Sequence, residues 1–233
     1  MLDVFRRPHH NAILSILHSL DRDLFHRAEC YFGGGTAVAL QLDEYRESID
    51  IDFLCASQAG YRLLRTTIVE QGLDGIIYPA SKVIAIREFR LDQYGLRTFL
   101  GIGDVKIKFE IIREARIPLD GKLDERLRIP VLNRIDMYVE KLLANADRWS
   151  DQSVLNRDVI DLSMMISRWG SIPEEAWRRA HEAYGQSVDL AYAKAVDKIR
   201  TPDWLRNCML KLSIDPSLFD EILKPHGGPK PSE

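Results

Sequence analysis

The spacing of apolar residues changes once along the chain, and this change divides the sequence into two parts. In the first part, short apolar runs separated by glycine and polar turns predict strands that alternate with helices. From "VLNRIDMYVEKLLANADRW" onward, apolar residues recur every three or four positions, as in amphipathic helices. We therefore predict an α+β protein, with a small mixed sheet flanked by helices in residues 1–125 and an all-helical domain in residues 126–224.

Local patterns predict the elements of the first part. "NAILSILHSLDRDLFHRA" predicts one opening helix, and "GTAVALQL" and "GYRLLRTTIVEQG" predict two more. Five runs predict strands: "CYF", "SIDIDFLC", "KVIAIREF", "GLRTFLGI" and "DVKIKFEII". The connector "IPLDGKLDERLRIP" is expected to join the two parts, and the Pro- and Gly-rich residues 225–233 predict a disordered tail.

The composition limits the classes of protein that the chain can represent. Its 233 residues, 45% of them hydrophobic, suffice for one large domain or two small domains with real cores. The net charge of -3 neither favours nor excludes an RNA partner, because a local basic face is compatible with a balanced total. The three widely spaced cysteines suggest neither a disulfide framework nor a cysteine zinc site. With no signal-peptide pattern and no apolar run of about 18 residues, we expect a cytoplasmic protein with no membrane partner.

The run "ESIDIDFL" places two aspartates inside an otherwise apolar strand. Because side chains alternate along a strand, Ser48, Asp50 and Asp52 would share one face. Ile49, Ile51 and Phe53 would share the other. The like charges of the aspartates repel each other unless a cation lies between them. Taken alone, the pair is also compatible with an ordinary solvated strand face.

A glycine-rich turn before this strand supplies the other half of a candidate site. Gly33, Gly34 and Gly35 let the backbone bend tightly and approach a ligand. The helix that follows offers N–H groups and a positive dipole end to a phosphate, and Thr36 could add a hydroxyl. Three glycines alone can be a simple turn, but together with the two aspartates they predict a site for Mg²⁺ and a nucleoside triphosphate.

The strand "DVKIKFEII" offers a third carboxylate. In this strand Glu110 shares a face with Lys106 and Lys108, opposite Ile107 and Phe109. As a metal ligand, Glu110 would complete a two-ion site with the aspartates, or it would accept the proton of an attacking hydroxyl. The two lysines leave open the alternative that Glu110 is an exposed ion-pair partner.

Four motifs, in the right order between residues 28 and 166, carry a family resemblance. "GGT" at 34–36, followed by "RESIDIDF" at 46–53, resembles the N-terminal signature of the AbiEii/AbiGii-type nucleotidyltransferase toxins, in the DNA polymerase β-like nucleotidyltransferase superfamily. "IDMYVEKLLANADR" and "NRDVIDL" resemble the third and fourth motifs of that family. Many superfamily members carry an aspartate where this chain has Glu110, so the third metal ligand stays open.

The resemblance implies roles for individual residues. Asp50 and Asp52 would bind metal, and nucleotide contacts would come from Gly34, Gly35, Thr36 and Ser48. In the helical part, Lys141 would hold triphosphate charge and Asp158 would act as a base or polar organiser. Asp161 lies on the same helix face as Asp158, so the sequence does not separate their roles. Periodicity alone would leave Lys141 exposed, opposite the apolar stripe of its helix. If that face instead turns toward the nucleotide, Arg148 becomes a second candidate for phosphate or RNA contact.

The combined expectation is an NTP-dependent nucleotidyltransferase that uses Mg²⁺, with two ions expected, to move a nucleotidyl group from an NTP to an acceptor hydroxyl. The resemblance implies that the acceptor is RNA, at the tRNA 3′ end, and that the protein is the toxin of a toxin–antitoxin pair with a cognate antitoxin. One alternative is transfer to a protein hydroxyl. Another is a non-catalytic homologue that binds a nucleotide or a partner. The preferred NTP, the antitoxin and the oligomeric state are not determined by these patterns.

Overall fold

The computed structural model describes residues 4–229, which pack as two compact units. Unit 1 combines the chain up to Ala37 with Ile49–Asn133. Unit 2 combines Val38–Ser48 with the chain from Arg134 onward. The segment Val38–Ser48 therefore belongs to unit 2, although both of its neighbouring segments belong to unit 1.

A mixed sheet forms the centre of unit 1. Within the described residues it has eight strands in the order β3-β5-β6-β2-β1-β8-β7, with β4 also paired to β5. The pairs β2–β6 and β1–β8 are parallel and the other pairs are antiparallel, which confirms the predicted mixed sheet. The strands are β1 (Cys30–Gly33), β2 (Ile51–Cys55), β3 (Ile84–Ala85), β4 (Arg90–Leu91), β5 (Gly95–Ile102), β6 (Val105–Arg113), β7 (Gly121–Asp124) and β8 (Ile129–Leu132).

Aromatic residues from three strands and one helix form the core of unit 1. Phe53 of β2 lies with its ring centroid 4.6 Å from that of Phe25, 5.6 Å from Phe32 and 5.9 Å from Phe109. All four side chains are fully buried. Packing of such rings stabilises the fold through buried apolar area and favourable tilted contacts. The alternation predicted for β2 and β6 therefore holds within the two strands. It is wrong for Ile49, which lies before the start of β2 and is 54% exposed.

The helices at the start of unit 1 differ from the predicted single helix. The structure has α1 (Pro8–Leu17) and α2 (Arg22–Arg27), separated by a turn. The carboxylate of Asp21 accepts hydrogen bonds from the backbone N–H groups of Asp23 and Leu24, both at 3.0 Å. This N-cap begins a new helix, so the apolar period continues across a break in the backbone.

The remaining helices that begin in unit 1 are α3 (Gly34–Gln41), which ends in unit 2, and α4 (Gln58–Gln71).

Two predicted segments of unit 1 also differ. "KVIAIREF" forms only the two-residue strand β3, and the predicted connector at residues 117–130 contains β7 and the start of β8. The four residues of β8 are all buried, and they pair with β1 on one side and with β7 on the other. Such a short apolar run carries little signal of its own. Residues 126–133 consequently belong to unit 1, although the sequence assigned them to the helical domain.

Unit 2 is helical. Its central helix is α5 (Arg134–Arg148), which packs against α6 (Arg157–Trp169), α7 (Glu174–Tyr184) and α8 (Ser187–Ile199). The later helices are α9 (Pro202–Lys211) and α10 (Phe219–Leu223). Of the predicted disordered tail, Pro225 and His226 lie in a turn of 3₁₀ helix, and the His226 Nε2 lies 2.8 Å from the Ser163 Oγ. Residues 230–233 lie outside the described part of the chain.

Across residues 4–229, no helix combines the length and the apolar character that crossing a membrane would require.

Candidate functional site

The glycine turn and the second aspartate meet at the start of α3. Gly34, the first residue of α3, has a φ of +67°, a left-handed conformation that favours glycine. A Cβ atom at this position would lie 2.8 Å from the Asp52 Oδ2. The Asp52 carboxylate therefore lies directly against the backbone of Gly34, beside the N-terminus of the helix. The structure thus brings together the two features that the sequence linked only by their order.

Residues from four neighbouring strands lie in line with the contact between Gly34 and Asp52. Asp52 of β2 is the register partner of Gly33 on β1 and of Glu110 on β6, and Glu110 is the partner of Arg97 on β5. Register partners on adjacent strands lie about 5 Å apart. Gly33, Asp52, Glu110 and Arg97 consequently form one row across the sheet.

Two cations hold Glu110, and one of them belongs to this row. Its Oε1 accepts a hydrogen bond from Arg97 Nε at 2.9 Å, and its Oε2 forms a short ion pair with Lys108. The Glu110 side chain is 12% exposed, whereas those of Arg97 and Lys108 are 37% and 41% exposed. The ion pair that the sequence left open therefore exists, although one partner is Arg97 rather than Lys106. Glu110 would have to exchange these partners to bind a metal.

Asp50 lies just before β2, which begins at Ile51. Its backbone carbonyl accepts a hydrogen bond of 2.6 Å from the Thr36 hydroxyl. Thr36 is buried on α3, so this bond fastens the segment that carries the aspartates to the helix that follows the glycine turn. The hydroxyl proton is engaged with the Asp50 carbonyl, so the Thr36 hydroxyl would have to break this bond to donate to a phosphate.

The acidic residues fit Mg²⁺ by their donor chemistry. Mg²⁺ prefers carboxylate oxygens, and it is typically held by one or two carboxylates together with water and substrate phosphates rather than by an all-protein cage. Because Gly34 has no Cβ atom, the Asp52 carboxylate can lie beside the N-terminus of the helix. Among residues 4–229, no cluster of three or more His, Cys, Asp and Glu side chains is placed to hold a metal ion. The fit therefore rests on Asp50 and Asp52, with Glu110 engaged elsewhere.

In unit 2, the predicted Lys141 and Asp158 belong to a buried ionic cluster. The Lys141 ammonium lies 3.1 Å from the Asp158 Oδ1 and 2.5 Å from the Asp161 Oδ2. Its side chain is only 5% exposed, so the exposure expected from periodicity is wrong. Arg148 binds Asp158 with two hydrogen bonds, of 2.7 and 2.9 Å. These groups occupy facing positions of α5 and α6.

Asp161 has a second cation on its other side. Arg46 donates from Nε and Nη2 to the two oxygens of Asp161, at 2.7 and 3.0 Å, and the Tyr45 hydroxyl donates a short hydrogen bond to Oδ1. Tyr45, Arg46, Lys141 and Asp161 are all buried. A bidentate arginine is the strongest form of such a pair. We call Tyr45, Arg46, Lys141, Arg148, Asp158 and Asp161 the ionic cluster.

The pKa values of the ionic cluster follow from burial and charge together. Burial alone would raise the pKa of Asp161, but Arg46 and Lys141 lower it well below its ordinary value. The pKa of Asp158 is likewise lowered, because Lys141 and Arg148 outweigh its burial. Burial and the charge of Asp161 raise the pKa of Tyr45. Both aspartates are therefore ionised at neutral pH, and Tyr45 keeps its proton.

The site residues predicted from sequence fall in both units. Gly34, Gly35 and Thr36 open α3, and with Asp50, Asp52 and Glu110 they belong to unit 1. Lys141 and Asp158 belong to unit 2, as does the half-buried Ser48 at the end of Val38–Ser48. The site residues thus form one group at the sheet and one pair in the ionic cluster, with Ser48 outside both.

A comparison with protein families decides the identity of the chain. The sequence model of a family described as nucleotidyl transferase AbiEii toxin, type IV toxin–antitoxin system, matches residues 17–224. The chain belongs to the AbiEii family. No curated protein matches the sequence significantly.

Solved structures resemble this AbiEii protein at low sequence identity. An antigenic nucleotidyltransferase-like protein from Paracoccidioides brasiliensis superimposes with a TM-score of 0.51 at 15% identity, over 92% of this chain and 98% of the other. A candidate nucleotidyltransferase from Helicobacter pylori gives a TM-score of 0.40 at 13% identity, over 80% of this chain and 94% of the other. The first likeness shows that the AbiEii chain has a nucleotidyltransferase-like fold.

Sequence reasoning about the AbiEii motifs missed two members of the ionic cluster. Arg46 opens the quoted "RESIDIDF", and Tyr45 precedes it, but neither was given a role. Both are far in sequence from Asp161, so no local pattern connects them. The sequence shows Arg46 close to the aspartate motif, but this position does not indicate that the Arg46 side chain is buried.

Proposed function

We propose that this AbiEii protein transfers a nucleotidyl group from an NTP to a hydroxyl of RNA, with release of pyrophosphate, as the toxin of a toxin–antitoxin pair. The resemblance makes the tRNA 3′ end the first acceptor to test. The observation that supports the proposal best is the contact between Gly34 and Asp52, because it places a carboxylate beside a helix N-terminus. A metal-bound triphosphate needs both groups at once.

The N-terminus of α3 would bind the triphosphate. The first N–H groups of a helix have no partner within the helix, and its dipole favours negative charge there. Gly34 allows close approach because any larger residue would meet Asp52. Gly35 and Thr36 would contribute backbone N–H groups. The Thr36 hydroxyl would act indirectly, by holding the backbone of Asp50.

Asp50 and Asp52 would hold Mg²⁺. When bound, Mg²⁺ neutralises triphosphate charge and stabilises the attacking and leaving oxygens. Glu110 would join as a third carboxylate only by releasing Arg97 and Lys108. We propose that its first role is to position these two cations near Asp52.

The family resemblance implies roles in nucleotide binding for Lys141, Asp158 and Ser48. An effective general base has a pKa near the working pH, and the pKa of Asp158 is lowered instead. The lowered pKa therefore favours a role for Asp158 in holding Lys141 and Arg148 in place, rather than a role as a general base. Lys141 would then supply positive charge held in place by its carboxylate partners.

The test is an incubation of purified protein with Mg²⁺, each α-labelled NTP in turn and total cellular RNA, resolved on denaturing gels. The variants are Asp52→Asn, which keeps the shape of the side chain, and Asp50→Ala. The matched control is Asp74→Asn, an exposed aspartate of unit 1 outside the row. We expect label in a tRNA-sized band with wild type and control and at least a hundredfold less with the two site variants.

Other results would lead to different conclusions. Label that enters a protein band would assign a protein hydroxyl as acceptor and overturn the RNA proposal. Unchanged transfer by Asp52→Asn would contradict the proposed metal site. Nucleotide binding without transfer to RNA or protein would favour a binding homologue over an enzyme.

A further inference from the structure

A basic and aromatic surface continues from the row of Asp52 and Glu110 toward the edge of the sheet. Along β5 and β6 the core-facing residues are buried, while the alternate residues face outward. On β5 these are Arg97 and Phe99, and on β6 they are Lys106 and Lys108. Register pairs join Phe99 to Lys108 and Arg97 to Glu110. The surface therefore shares its face with the candidate metal ligand Glu110.

Phe99 is the aromatic centre of this surface. The Arg87 guanidinium carbon lies 4.5 Å from its ring centroid, and the Lys106 ammonium lies 4.2 Å away. The backbone of Arg87 is fixed to β5, because its carbonyl accepts a 2.7 Å hydrogen bond from the Thr98 hydroxyl. Two cations are thus held over one aromatic ring, which is half-buried at the surface. We call Arg87, Arg97, Phe99, Lys106 and Lys108 the β5–β6 face.

The β5–β6 face is positive in a chain whose total charge is negative. Glu110 neutralises part of the charge of Arg97 and Lys108, and Asp92 forms a 2.9 Å pair with Arg97. Neither Arg87 nor Lys106 takes part in these pairs, and both are exposed. The face therefore keeps a net positive charge, whereas the whole chain carries -3. Such a local excess points to a polyanionic partner.

Exposed apolar side chains border the same surface. Ile84 is 63% exposed and Ile86 is 44% exposed. A Cβ atom at Gly101 of β5 would lie 3.2 Å from both of them, so they lie over the outward side of that strand. Cations alternating with an aromatic ring and apolar groups match a ligand that alternates phosphates with flat bases.

We propose that the β5–β6 face binds a single-stranded segment of the acceptor RNA. Arg87 and Lys106 would swing off the Phe99 ring to pair with phosphates, and an unstacked base would then lie against Phe99 and Ile84. A duplex would offer its phosphates but not its base faces, so the aromatic component favours a single strand. This inference rests on the proposed function, which supplies the RNA acceptor. The face lies near the candidate site because β6 carries both Lys108 of the face and Glu110 of the row.

Fluorescence anisotropy with an end-labelled, mixed-sequence single-stranded RNA of about 12 nucleotides tests the inference, since single strands occupy about 4–16 nucleotides on comparable surfaces. The test variant is Arg87→Glu/Lys106→Glu, which leaves the partners of Glu110 intact. The matched control is Arg62→Glu/Arg65→Glu, with the same charge change at exposed positions of α4. Circular dichroism spectra and unfolding midpoints confirm that each variant is folded.

The inference predicts at least tenfold weaker binding for the test variant and an affinity within about twofold for the control. In a salt series, the slope of log affinity against log salt should become shallower by about 1.4 for two lost phosphate contacts on a single strand. In the transfer assay, the test variant should raise the KM for RNA with little change in kcat. Equal binding by wild type and test variant, or an equal loss in the control, would overturn the inference.

The failure of this inference and the failure of the proposed function give different results. If wild type labels RNA and the test variant labels it with the same KM, the β5–β6 face is wrong while the transferase stands. If the test variant loses RNA binding but Asp52→Asn transfers normally, the face stands and the metal site is wrong. If an RNA duplex binds as tightly as the single strand, the assignment to a single strand is overturned.

Discussion

Replacement of Asp161 by asparagine should destabilise unit 2 more than the same change at Asp158. The two aspartates lie three residues apart on α6, and Lys141 binds both of them. They differ in their second cation. Asp161 binds Arg46, whose side chain is 3% exposed, whereas Asp158 binds Arg148, whose side chain is 36% exposed. Asp161 also accepts a hydrogen bond from a tyrosine hydroxyl, which the oxygen of an asparagine can still accept. The chemical change is identical, so the difference in stability mainly reports the burial of the arginine.

The magnitude follows from the cost of leaving a buried charge without its partner. Removal of one member of a buried ion pair costs about 3–5 kcal/mol. For Asp161→Asn, Arg46 cannot reach water without repacking, so we expect a loss in this range. For Asp158→Asn, Arg148 can turn into solvent, and the lost hydrogen bonds predict a smaller loss of about 1–3 kcal/mol. A typical domain has a total stability of only about 5–15 kcal/mol, so the first loss is a large fraction.

Tryptophan fluorescence in a urea titration is the appropriate assay. All of the tryptophans of the sequence, Trp149, Trp169, Trp177 and Trp204, lie in unit 2, so their emission reports the unfolding of that unit. With a urea m value of about 2–3 kcal/mol/M, a loss of 3 kcal/mol lowers the midpoint by about 1–1.5 M. Asp158→Asn and wild type serve as references in the same titration.

Two results would refute this reasoning. If Asp161→Asn lowered the stability by less than about 1 kcal/mol, Arg46 would not depend on Asp161. If Asp158→Asn cost as much as Asp161→Asn, the exposure of the arginine would not decide the cost. A second-site check is Arg46→Met in the Asp161→Asn background, which should recover part of the loss by removing the unpaired charge.

Three further predictions follow from single positions. Gly34→Ala should lower the stability by about 1–2 kcal/mol in urea unfolding, because position 34 has a left-handed φ. It should also reduce nucleotidyl transfer at least tenfold in the label assay, because the new Cβ displaces Asp52. Transfer at the wild-type level would show that the contact with Asp52 is not needed. Burial lowers the pKa of His226 from its ordinary 6.5 to about 4, so the unfolded state binds the proton more tightly and stability should fall as the pH drops from about 6.5 to about 4. Discounted for the partial exposure of the ring, the wild type should lose about 1–2 kcal/mol more than His226→Gln between pH 7 and pH 4.5, and parallel pH curves would contradict this. Asn145 is buried, and neither polar atom of its side chain has a hydrogen-bond partner within the described residues. Asn145→Leu should therefore be neutral or stabilising in urea unfolding. A loss of stability above about 2 kcal/mol would show that the amide forms hydrogen bonds.

The sequence predicted those parts of the fold that depend on local alternation and known motifs. Ile51, Phe53 and Phe109 point into the core as expected from a period of two. The mixed sheet and the helical region after residue 134 were also predictable. In contrast, the short strand β8 is stabilised by its pairing with β1, a contact between distant segments that its own four residues do not encode.

The candidate site shows the same division between local and distant information. The glycine turn and the aspartates were visible as motifs, and the ion pair of Glu110 with Lys108 follows from their spacing of two. The second partner, Arg97, depends on the register of β5 against β6. Lys141 was misplaced by periodicity, because a helical wheel compares residues of one helix only. The carboxylates of α6 and the chain segment containing Arg46 make its polar face an interior one.

Because Val38–Ser48 belongs to unit 2, the protein cannot be cut into its two units at a single position. The chain passes from unit 1 to unit 2 and back before the final crossing after Asn133, so no single cut yields two complete units. A fragment ending at Asn133 would retain Arg46 and Tyr45 but lose Asp161, together with the Leu212 carbonyl that accepts the backbone N–H of Glu47. Recombination that exchanged the C-terminal helices between relatives would have to preserve the match between this short segment and α6. We therefore expect the C-terminal helices to be exchangeable only together with Val38–Ser48, and not as an independent module.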